Sequence, residues 1–213
     1  LPFFMGGVLS VMDMSAMILT YGAPELSLMM AGATELAHYL GIPLWQNGGC
    51  TDSNFLDEQA AFEGSMSCFF SALTGGDLFQ DVDNTESRIT GYIFHTVMND
   101  EAIGYSRRIT RGIEVNEDTL AADVIHNVGP DGHYLYEEHT MRHFKTEFWY
   151  PNLCDRHNFE EWEEMGRKTM RQRVIERTRE ILGSHKSSPV KPETVDAITA
   201  IMKAAEERVK NKE

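Results

Sequence analysis

Three short apolar runs recur along the chain, and each is followed by glycine or turn residues and then by a helical pattern. The runs are Pro2–Met5, Ile42–Trp45 and Leu78–Val82, and their starts lie 40 and 36 residues apart. That spacing fits one strand–helix unit for each run. Strands separated by helices of this length predict an α/β fold with a parallel sheet, as either a barrel or a doubly wound sheet.

Apolar residues at helical spacing predict the helices that follow these runs. The first helix begins at Pro24, a typical first-turn proline, and ends at Gly41. The second is expected to be capped by Asp52 or Ser53 and to stop at Gly75. Further helices are predicted over 90–111, after Asn116, from Asn158, over 167–182 and from Pro192, and one more strand could lie near Tyr134.

Charge is distributed unevenly over the 213 residues, which carry 19 Lys and Arg against 33 Asp and Glu, a formal net charge of -14. Residues 1–151 hold 6 basic and 21 acidic side chains, whereas residues 152–213 hold 13 and 12. We therefore predict a βα portion over 1–151 and a helical extension over 152–213. Because phosphate contacts need clustered Lys and Arg, neither nucleic acid nor an anionic membrane surface is an expected partner.

The three cysteines are widely separated and form no disulfide framework, and no apolar run reaches the ~18 residues of a membrane span. A cytoplasmic protein is therefore expected. The sequence has no initiator Met and begins inside the apolar segment Leu1–Gly7. Since three strands close neither a barrel nor a doubly wound sheet, we expect these residues to be part of a longer protein.

Candidate chemistry lies in the loops after the predicted strands, because α/β active sites form at the carboxyl ends of parallel strands. The first loop is Gly6–Met14. The second, Trp45–Ser53, is dense in hydrogen-bonding groups, and the third, Asp81–Ser87, carries three carboxylates. Turn and cap residues alone could give the same composition, so the loops are candidates and no more.

Single residues in and beyond these loops give weaker signals. Cys50 precedes a helix N-terminus, where a thiolate would be stabilised, but a buried inert thiol is the favoured interpretation. His139 and His143 share a helical face without the glutamate of HExxH or a recognisable third ligand, so no metal site is predicted. The aromatic and acidic segment Gly132–Thr140 could wall a cation pocket together with Trp45, or simply pack at a barrel rim.

Several motifs resemble the trimethylamine methyltransferase family, the corrinoid-dependent enzymes that demethylate trimethylamine, with relatives that act on betaines. These motifs occur in order over essentially the whole chain, at Gly22–Glu25, Gly48–Ser53, Asp57–Ala60, the third loop up to Ser87, Gly129–Gly132 and His139–Thr140. The resemblance implies the C-terminal part of such an enzyme. Its fold would be the later βα units of a (β/α)8 TIM barrel, followed by C-terminal helices.

The reaction implied by the resemblance moves a methyl group from a methylated amine to the cobalt of a corrinoid (cobalamin). That corrinoid is carried by a cognate partner protein and is not bound covalently to this chain, and a homo-oligomer is expected. Orientation of the N–CH3 bond would dominate the barrier, and an acidic barrel mouth would concentrate the cationic amine. The candidate catalytic residues are Asp52, Ser53 and Glu86, and the candidate substrate-binding residues are Trp45, Gln46, Asn47, Gln59, Tyr136 and His139.

The sequence leaves the substrate and two other functions open. Trimethylamine-specific members of the family carry pyrrolysine, which the printed sequence lacks, whereas members without it are associated with quaternary amines such as glycine betaine. Gln46 is the first position at which a pyrrolysine printed under another letter is expected. The alternatives are a non-catalytic module that binds cationic amines and a TIM-barrel lyase or aldolase for a phosphorylated substrate. The absence of lysine before Lys145 argues against the second alternative.

Overall fold

The computed structural model describes residues 3–186 and 189–210, in which short strands alternate with longer helices. The strands are β1 (Met5–Gly6), β2 (Met12–Asp13), β3 (Ile18–Leu19), β4 (Leu44–Asn47), β5 (Leu78–Gln80), β6 (Asn84–Thr85) and β7 (Thr90–Gly91). The helices are α1 (Pro24–Leu40), α2 (Glu58–Thr74), α3 (Ile93–Thr110), α4 (Glu117–Leu120), α5 (Ala122–Val128), α6 (Glu138–Glu147), α7 (Phe159–Glu164), α8 (Met170–Ser184) and α9 (Pro192–Lys210). The chain divides into two compact units, 1–178 and 179–213.

The strands at the three predicted positions form one parallel sheet in the first unit, in the order β1-β4-β5. The first is shifted, because β1 shares only Met5 with the predicted run Pro2–Met5, and Pro2 lies outside the described residues. Met5 is opposite Leu44 in this sheet, and Trp45 is opposite Leu78. The predicted α/β class with a parallel sheet is therefore confirmed. Two antiparallel pairs, β2 with β3 and β6 with β7, lie in the connections that follow β1 and β5. The TIM barrel remains a prediction, since three parallel strands fit a barrel and a doubly wound sheet alike.

Helix α1 follows the prediction at both ends. Leu26, Met30 and Ala37 are buried on one face, at the spacing expected of a half-buried helix. Gly41 closes the helix with φ 64°, and its N–H donates to the carbonyls of Ala37 and His38. This left-handed conformation is one that glycine adopts at little cost, so the sequence placed the end of the helix correctly.

The predicted start of α2 is wrong. Its N-cap is Asp57, whose carboxylate accepts the N–H of Ala60 at 2.9 Å, and not Asp52 or Ser53. The Asp52 carboxylate is engaged by Tyr21 N–H, and the Ser53 hydroxyl donates to Asp57 at 2.8 Å. The chain therefore turns once more before the helix begins.

The cap gives a first testable prediction for stability. Asp57→Ala in the complete protein should lower the free energy of unfolding by about 1 kcal/mol, because the Ala60 N–H loses its acceptor at the start of α2. Chemical denaturation measures the change. Glu58→Ala, an exposed neighbour in the first helical turn, is the matched control and should change it by less than about 0.5 kcal/mol. Equal losses for the two variants would contradict the cap.

Other elements depart from the sequence pattern for local reasons. No strand lies near Tyr134 in the described part of the chain, where residues 130–137 form turns. The long helix starts at Ile93, after the β6–β7 pair, and α8 starts at Met170, because Arg167 takes a left-handed φ of 53° that ends helical geometry. The predicted caps Asn116 and Asn158 are confirmed. The polar run 184–190 also predicts a linker between the last two helices; it lies partly outside the described residues, and Ser184 belongs to α8.

The main apolar core of the first unit packs α2 and α3 against residues that follow them in sequence. Leu56, Ala60, Met98, Leu153 and Val174 are its buried members. Glu101 of α3 accepts the N–H groups of Asn152, Leu153 and Cys154, which holds residues 152–154 on this core. Among residues 3–186 and 189–210, no helix is long and apolar enough to cross a membrane.

Candidate functional site

The loop after β4 and the loop after β5 lie against each other at the carboxyl edge of the sheet. We call residues 48–53 and 81–87 the loop pair. Thr51 N–H donates to Asn84 O at 3.1 Å, Glu86 N–H to Ser53 O at 2.8 Å, and Ser87 N–H to Thr51 O at 3.3 Å. Because neighbouring parallel strands end at the same edge, the two polar loops predicted from the sequence form one surface.

Asp52 joins all three strand-end connections. Its Oδ1 atom accepts the N–H of Tyr21 at 2.7 Å and the hydroxyl of Ser87 at 2.9 Å. Tyr21 lies in the connection from β1 to α1, and Ser87 belongs to the loop after β5. The Asp52 carboxylate is therefore the point at which the three loops converge, and a change at this residue affects all of them.

Glu63 supports the same loop from α2. Its Oε2 atom accepts the Thr51 hydroxyl at 2.6 Å and the Asp52 N–H at 2.8 Å, and its Oε1 atom accepts Gln59 Nε2 at 2.9 Å. A Cβ atom on Gly22 would lie 2.2 Å from Glu63 Oε2, so the carboxylate occupies space that only a glycine leaves free. Glu63 thus fixes the position of the Asp52 backbone.

Arg88 is the only Lys or Arg before Ser106 in the sequence, and it lies among these acidic loops. Its Nε atom is 3.4 Å from Asp81 Oδ2, and its guanidinium lies 5.7 Å from the centre of the Tyr21 ring. Asn47 also donates to the Asp81 carboxylate. Burial raises the pKa of Asp81 and the nearby Asp83 adds to this, while Arg88 acts in the opposite direction. Arg88 therefore partly compensates the negative charge of Asp81.

Backbone strain is concentrated in the same loop. Three consecutive non-glycine residues, Glu86, Ser87 and Arg88, have left-handed φ values of 53°, 49° and 71°. Such a conformation costs of order 1 kcal/mol or more per residue, and strained residues cluster at functional sites. The hydrogen bonds of Glu86 and Ser87 to the β4 loop hold this conformation.

Two buried side chains of α3 contact the backbone of both loops of the loop pair. His95 Nε2 lies 2.6 Å from Gly49 O, and Asn99 Nδ2 donates to Gly49 O at 2.8 Å and to Val82 O at 2.6 Å. A carbonyl only accepts, so the His95 proton is on Nε2. His95 and Asn99 are fully buried, and together they tie both loops to the first turns of α3.

A pH-dependent loss of stability follows from His95. Burial lowers the pKa of this imidazole below its usual value. The unfolded chain takes up a proton near pH ~6.5 that the folded protein resists, so the free energy of unfolding should fall as the pH drops below that value. His95→Gln keeps an N–H donor but does not titrate. Denaturation at about pH 7.5 and about pH 5.5 should therefore show a smaller decrease for the variant, by at most ~1.4 kcal/mol, and equal decreases would contradict this role.

The structure excludes Cys50 as a nucleophile. The thiol is buried beside Tyr21, Leu26 and Met30, and its Sγ atom lies 3.4 Å from Asp81 O. Burial raises the pKa of Cys50 far above its usual range, and the Asp81 charge adds to the effect. The interpretation of Cys50 as a buried thiol is confirmed, and its burial disfavours the thiolate that a nucleophile needs.

The predicted residues of β4 point in opposite directions. The Gln46 side chain is buried between α1 and α2, where its Nε2 atom donates to Ser71 O at 2.9 Å and its Oε1 atom accepts from Thr34 at 3.3 Å. Trp45 is half-exposed, and strand alternation places it on the sheet face opposite the helices. Trp45 therefore lies on the opposite face of the sheet from Gln46.

The structure brings together only part of the predicted site. Asp52, Ser53, Asn47 and Glu86 belong to or adjoin the loop pair, and Gln59 reaches it through Glu63. Tyr136 is exposed, and His139 on α6 lies 2.7 Å from Asp118 O through its Nε2 atom. In the described ranges, no hydrogen bond or ion pair links these two residues to the loop pair.

The parallel strands of this α/β chain thus end in one acidic, hydrogen-bonded surface. The sequence profile described as trimethylamine methyltransferase (MTTB) matches residues 1–209. The chain belongs to the trimethylamine methyltransferase family.

The relatives similar to this chain are named for two different methylated amines. The chain is 32% identical to trimethylamine methyltransferase MttB of Desulfitobacterium hafniense strain DSM 10664 / DCB-2, over 97% of this chain and 41% of the relative. It is 32% identical to a glycine betaine methyltransferase of Desulfitobacterium hafniense strain Y51, over 92% and 41%. It is 27% identical to trimethylamine methyltransferase MttB1 of Methanosarcina mazei, over 87% and 37%. The chain thus spans about two fifths of the length of these relatives.

Proposed function

We propose that the complete protein carrying this sequence is a methyltransferase that moves a methyl group from trimethylamine or a quaternary amine to the cobalt of a cognate corrinoid protein. The observation that carries the proposal is the convergence of three strand-end connections on Asp52, with Glu63 fixing its backbone. The family of the chain supports methyl transfer from an amine. Two relatives at 32% identity are named for different amines, so both substrates are included.

The loop pair fits the amine, because carboxylates and an aromatic face both attract cations. Asp52, Glu63 and Glu86 supply negative charge, and Trp45 offers an aromatic ring on the sheet face opposite the helices. The partner's corrinoid supplies the acceptor of the methyl group. This chain would therefore bind the amine and hold it in one orientation for transfer. Holding two reactants in the right geometry lowers the barrier substantially, because their translational and rotational entropy is lost before the reaction step.

The predicted site residues divide into two roles in this proposal. Asp52 and Glu86 are proposed to face the amine, and Trp45 is proposed to cover it. Ser53, Gln46 and Asn47 are engaged with neighbouring groups of the fold, so we propose that they position the loops. Gln59 is proposed to act through Glu63, to which it donates.

We further propose that β1, β4 and β5 are the later strands of a (β/α)8 barrel. Their order in the sheet follows their order in sequence, with α1 and α2 as the crossovers, and this is the arrangement of successive barrel units. The loop pair would then lie at the carboxyl mouth of the barrel, where TIM-barrel active sites form. The length of the relatives, more than twice that of this chain, leaves room for the other strands.

A binding module for cationic amines is the second candidate, because the same acidic loops would serve it. A lyase for a phosphorylated substrate is less favoured, since Arg88 of the loop region is already paired with Asp81. Calorimetry with trimethylamine and glycine betaine, followed by an assay with reduced corrinoid protein, separates these functions. Amine binding together with a methylcobalt absorbance change supports the methyltransferase. Binding without any change in absorbance would favour the module.

The presence of pyrrolysine in the segment 44–53 would decide between the amines in this proposal. Position 46, the first one expected from the sequence, is not favoured by the structure, because its side chain is buried between α1 and α2 and not at the loop pair. Peptide mass spectrometry of the segment 44–53 from the native source should show an ordinary residue at every position if a quaternary amine is the substrate. Pyrrolysine in this segment would instead assign trimethylamine.

A further inference from the structure

A cluster outside the loop pair holds the side chains that bind transition metals. His139 and His143 lie one turn apart on α6, and Asp118 reaches them from α4. One carboxylate oxygen of Asp118 and one ring nitrogen of each histidine lie within 4.8 Å of one another. The sequence pattern identified only the two histidines as possible ligands. Asp118 was missed because it lies 21 residues before His139, and no known motif has that spacing.

The distances within the cluster lie on either side of those expected around a bound ion. His143 Nε2 lies 2.8 Å from Asp118 Oδ2, and His139 Nε2 lies 3.9 Å from Asp118 Oδ1. Two ligand atoms at ~2 Å from a tetrahedral zinc ion are ~3.3 Å apart, which falls between these two distances. The His143 Nε2 atom is buried and takes no hydrogen bond despite its short distance from the carboxylate. His143 Nε2 is therefore left without a hydrogen bond beside the carboxylate, where an ion could take it as a ligand.

Neighbouring residues support a metal at this position. Arg142 Nη2 lies 3.4 Å from Asp118 Oδ1, so one carboxylate oxygen is held by the guanidinium while Oδ2 faces His143. Such outer contacts orient ligands in metal sites. A surface cavity of about 490 Å³ adjoins the cluster, and Glu117 and Asp123 on its wall add negative charge. An ion has a path from solvent, and water can complete its coordination.

We propose that Asp118, His139 and His143 form a binding site for a divalent transition metal, with Zn²⁺ as the ion. Two imidazole ligands select against Mg²⁺ and Ca²⁺, which prefer oxygen. Binding requires His139 Nε2 to give up its hydrogen bond to Asp118 O and turn its lone pair to the ion. The site would join α4 to α6, and it gives His139 a role other than amine binding.

Metal titration of the complete, untagged and chelator-treated protein tests this site without any assay of methyl transfer. We expect calorimetry to show one Zn²⁺ per chain and Co²⁺ to give visible d–d absorption bands. Asp118→Asn and His143→Asn should each weaken Zn²⁺ binding at least about tenfold. His133→Asn is the matched control, since this histidine lies in the preceding turn outside the cluster, and it should bind like the unchanged protein.

Two results would overturn the proposal. One is the absence of Co²⁺ bands and of stoichiometric Zn²⁺ uptake in the unchanged protein, which decides the matter even if a variant fails to fold. The other is Zn²⁺ binding that His133→Asn weakens as much as His143→Asn does. Circular dichroism of each variant shows whether it is folded, and neither outcome depends on the methyltransferase proposal.

Discussion

Glu63→Ala in the complete protein is expected to lower kcat/KM for the methylated amine by about 100-fold. The substitution removes the acceptor of the Thr51 hydroxyl, the Asp52 N–H and Gln59. Hydrogen bonds to charged groups contribute ~1.5–3 kcal/mol each, and ~1.4 kcal/mol corresponds to tenfold. The β4 loop would lose the support that positions Asp52, so both the charge and the geometry of the amine site would change. Steady-state kinetics with reduced corrinoid protein measures the effect.

Two matched variants separate these contributions. Glu63→Gln keeps an oxygen for Thr51 and Asp52, and the Gln59 amide can turn to match it, so this variant tests the charge alone. We expect a rise in KM of about three- to tenfold with little change in stability, an effect of ~1 kcal/mol typical of a partly exposed charge. Glu35→Ala removes an exposed carboxylate of α1 and should leave the kinetics unchanged. If all three variants turned over like the unchanged enzyme, Glu63 would have no part in the site.

Gly64→Ala is expected to destabilise the protein, although alanine is the better helix former. A Cβ atom at this position would lie 2.7 Å from Asn99 Oδ1, 3.1 Å from His95 Cε1 and 3.3 Å from Gly49 O. The last contact is with backbone, so relief requires movement of the loop pair. Overpacking of this kind costs ~1–3 kcal/mol, which exceeds the ~1 kcal/mol gained in helix propensity. We expect a net loss of up to about 2 kcal/mol in denaturation, together with reduced amine turnover.

Gly32→Ala in α1 provides the matched control, because nothing lies within 4 Å of the Cβ that it would add. This variant should gain about 0.5–1 kcal/mol from the same change in helix propensity. Both variants replace a helical glycine with alanine. Opposite signs of the stability change would therefore be due to the contacts of the new Cβ atom at residue 64 with Gly49, His95 and Asn99. A stabilising Gly64→Ala would show that α2 does not press against Gly49, His95 and Asn99.

The elements of the fold that the sequence predicted correctly are those with local signals. The three apolar runs became β1, β4 and β5, and the Pro24 and Gly41 signals marked both ends of α1, because each depends on the residues next to it. The start of α2 was missed because Asp52, Ser53 and Asp57 are all good caps. Only the contacts of Asp52 with Tyr21 and Ser87, distant in sequence, decide between them.

The candidate site was likewise predicted where the signal is local and missed where it depends on contacts between residues distant in sequence. The loops after β4 and β5 were predicted from the general position of α/β active sites, and the structure brings them together. Glu63, His95 and Asn99 were missed, since each lies within a helix where polar residues normally face solvent. The close approach at Gly22 was the available signal for Glu63, but a glycine alone does not say which side chain fills its space.

The most direct test of the proposed function follows the methyl group itself. The complete protein is incubated with its reduced corrinoid protein and with trimethylamine or glycine betaine in which all N-methyl groups are deuterated, and the corrinoid is then analysed by mass spectrometry. We predict that one deuterated methyl group appears on the cobalt and that the demethylated amine appears in equal amount, both reduced with Glu63→Ala. Label that stays entirely on the amines, under conditions where calorimetry shows that they bind, would contradict methyl transfer.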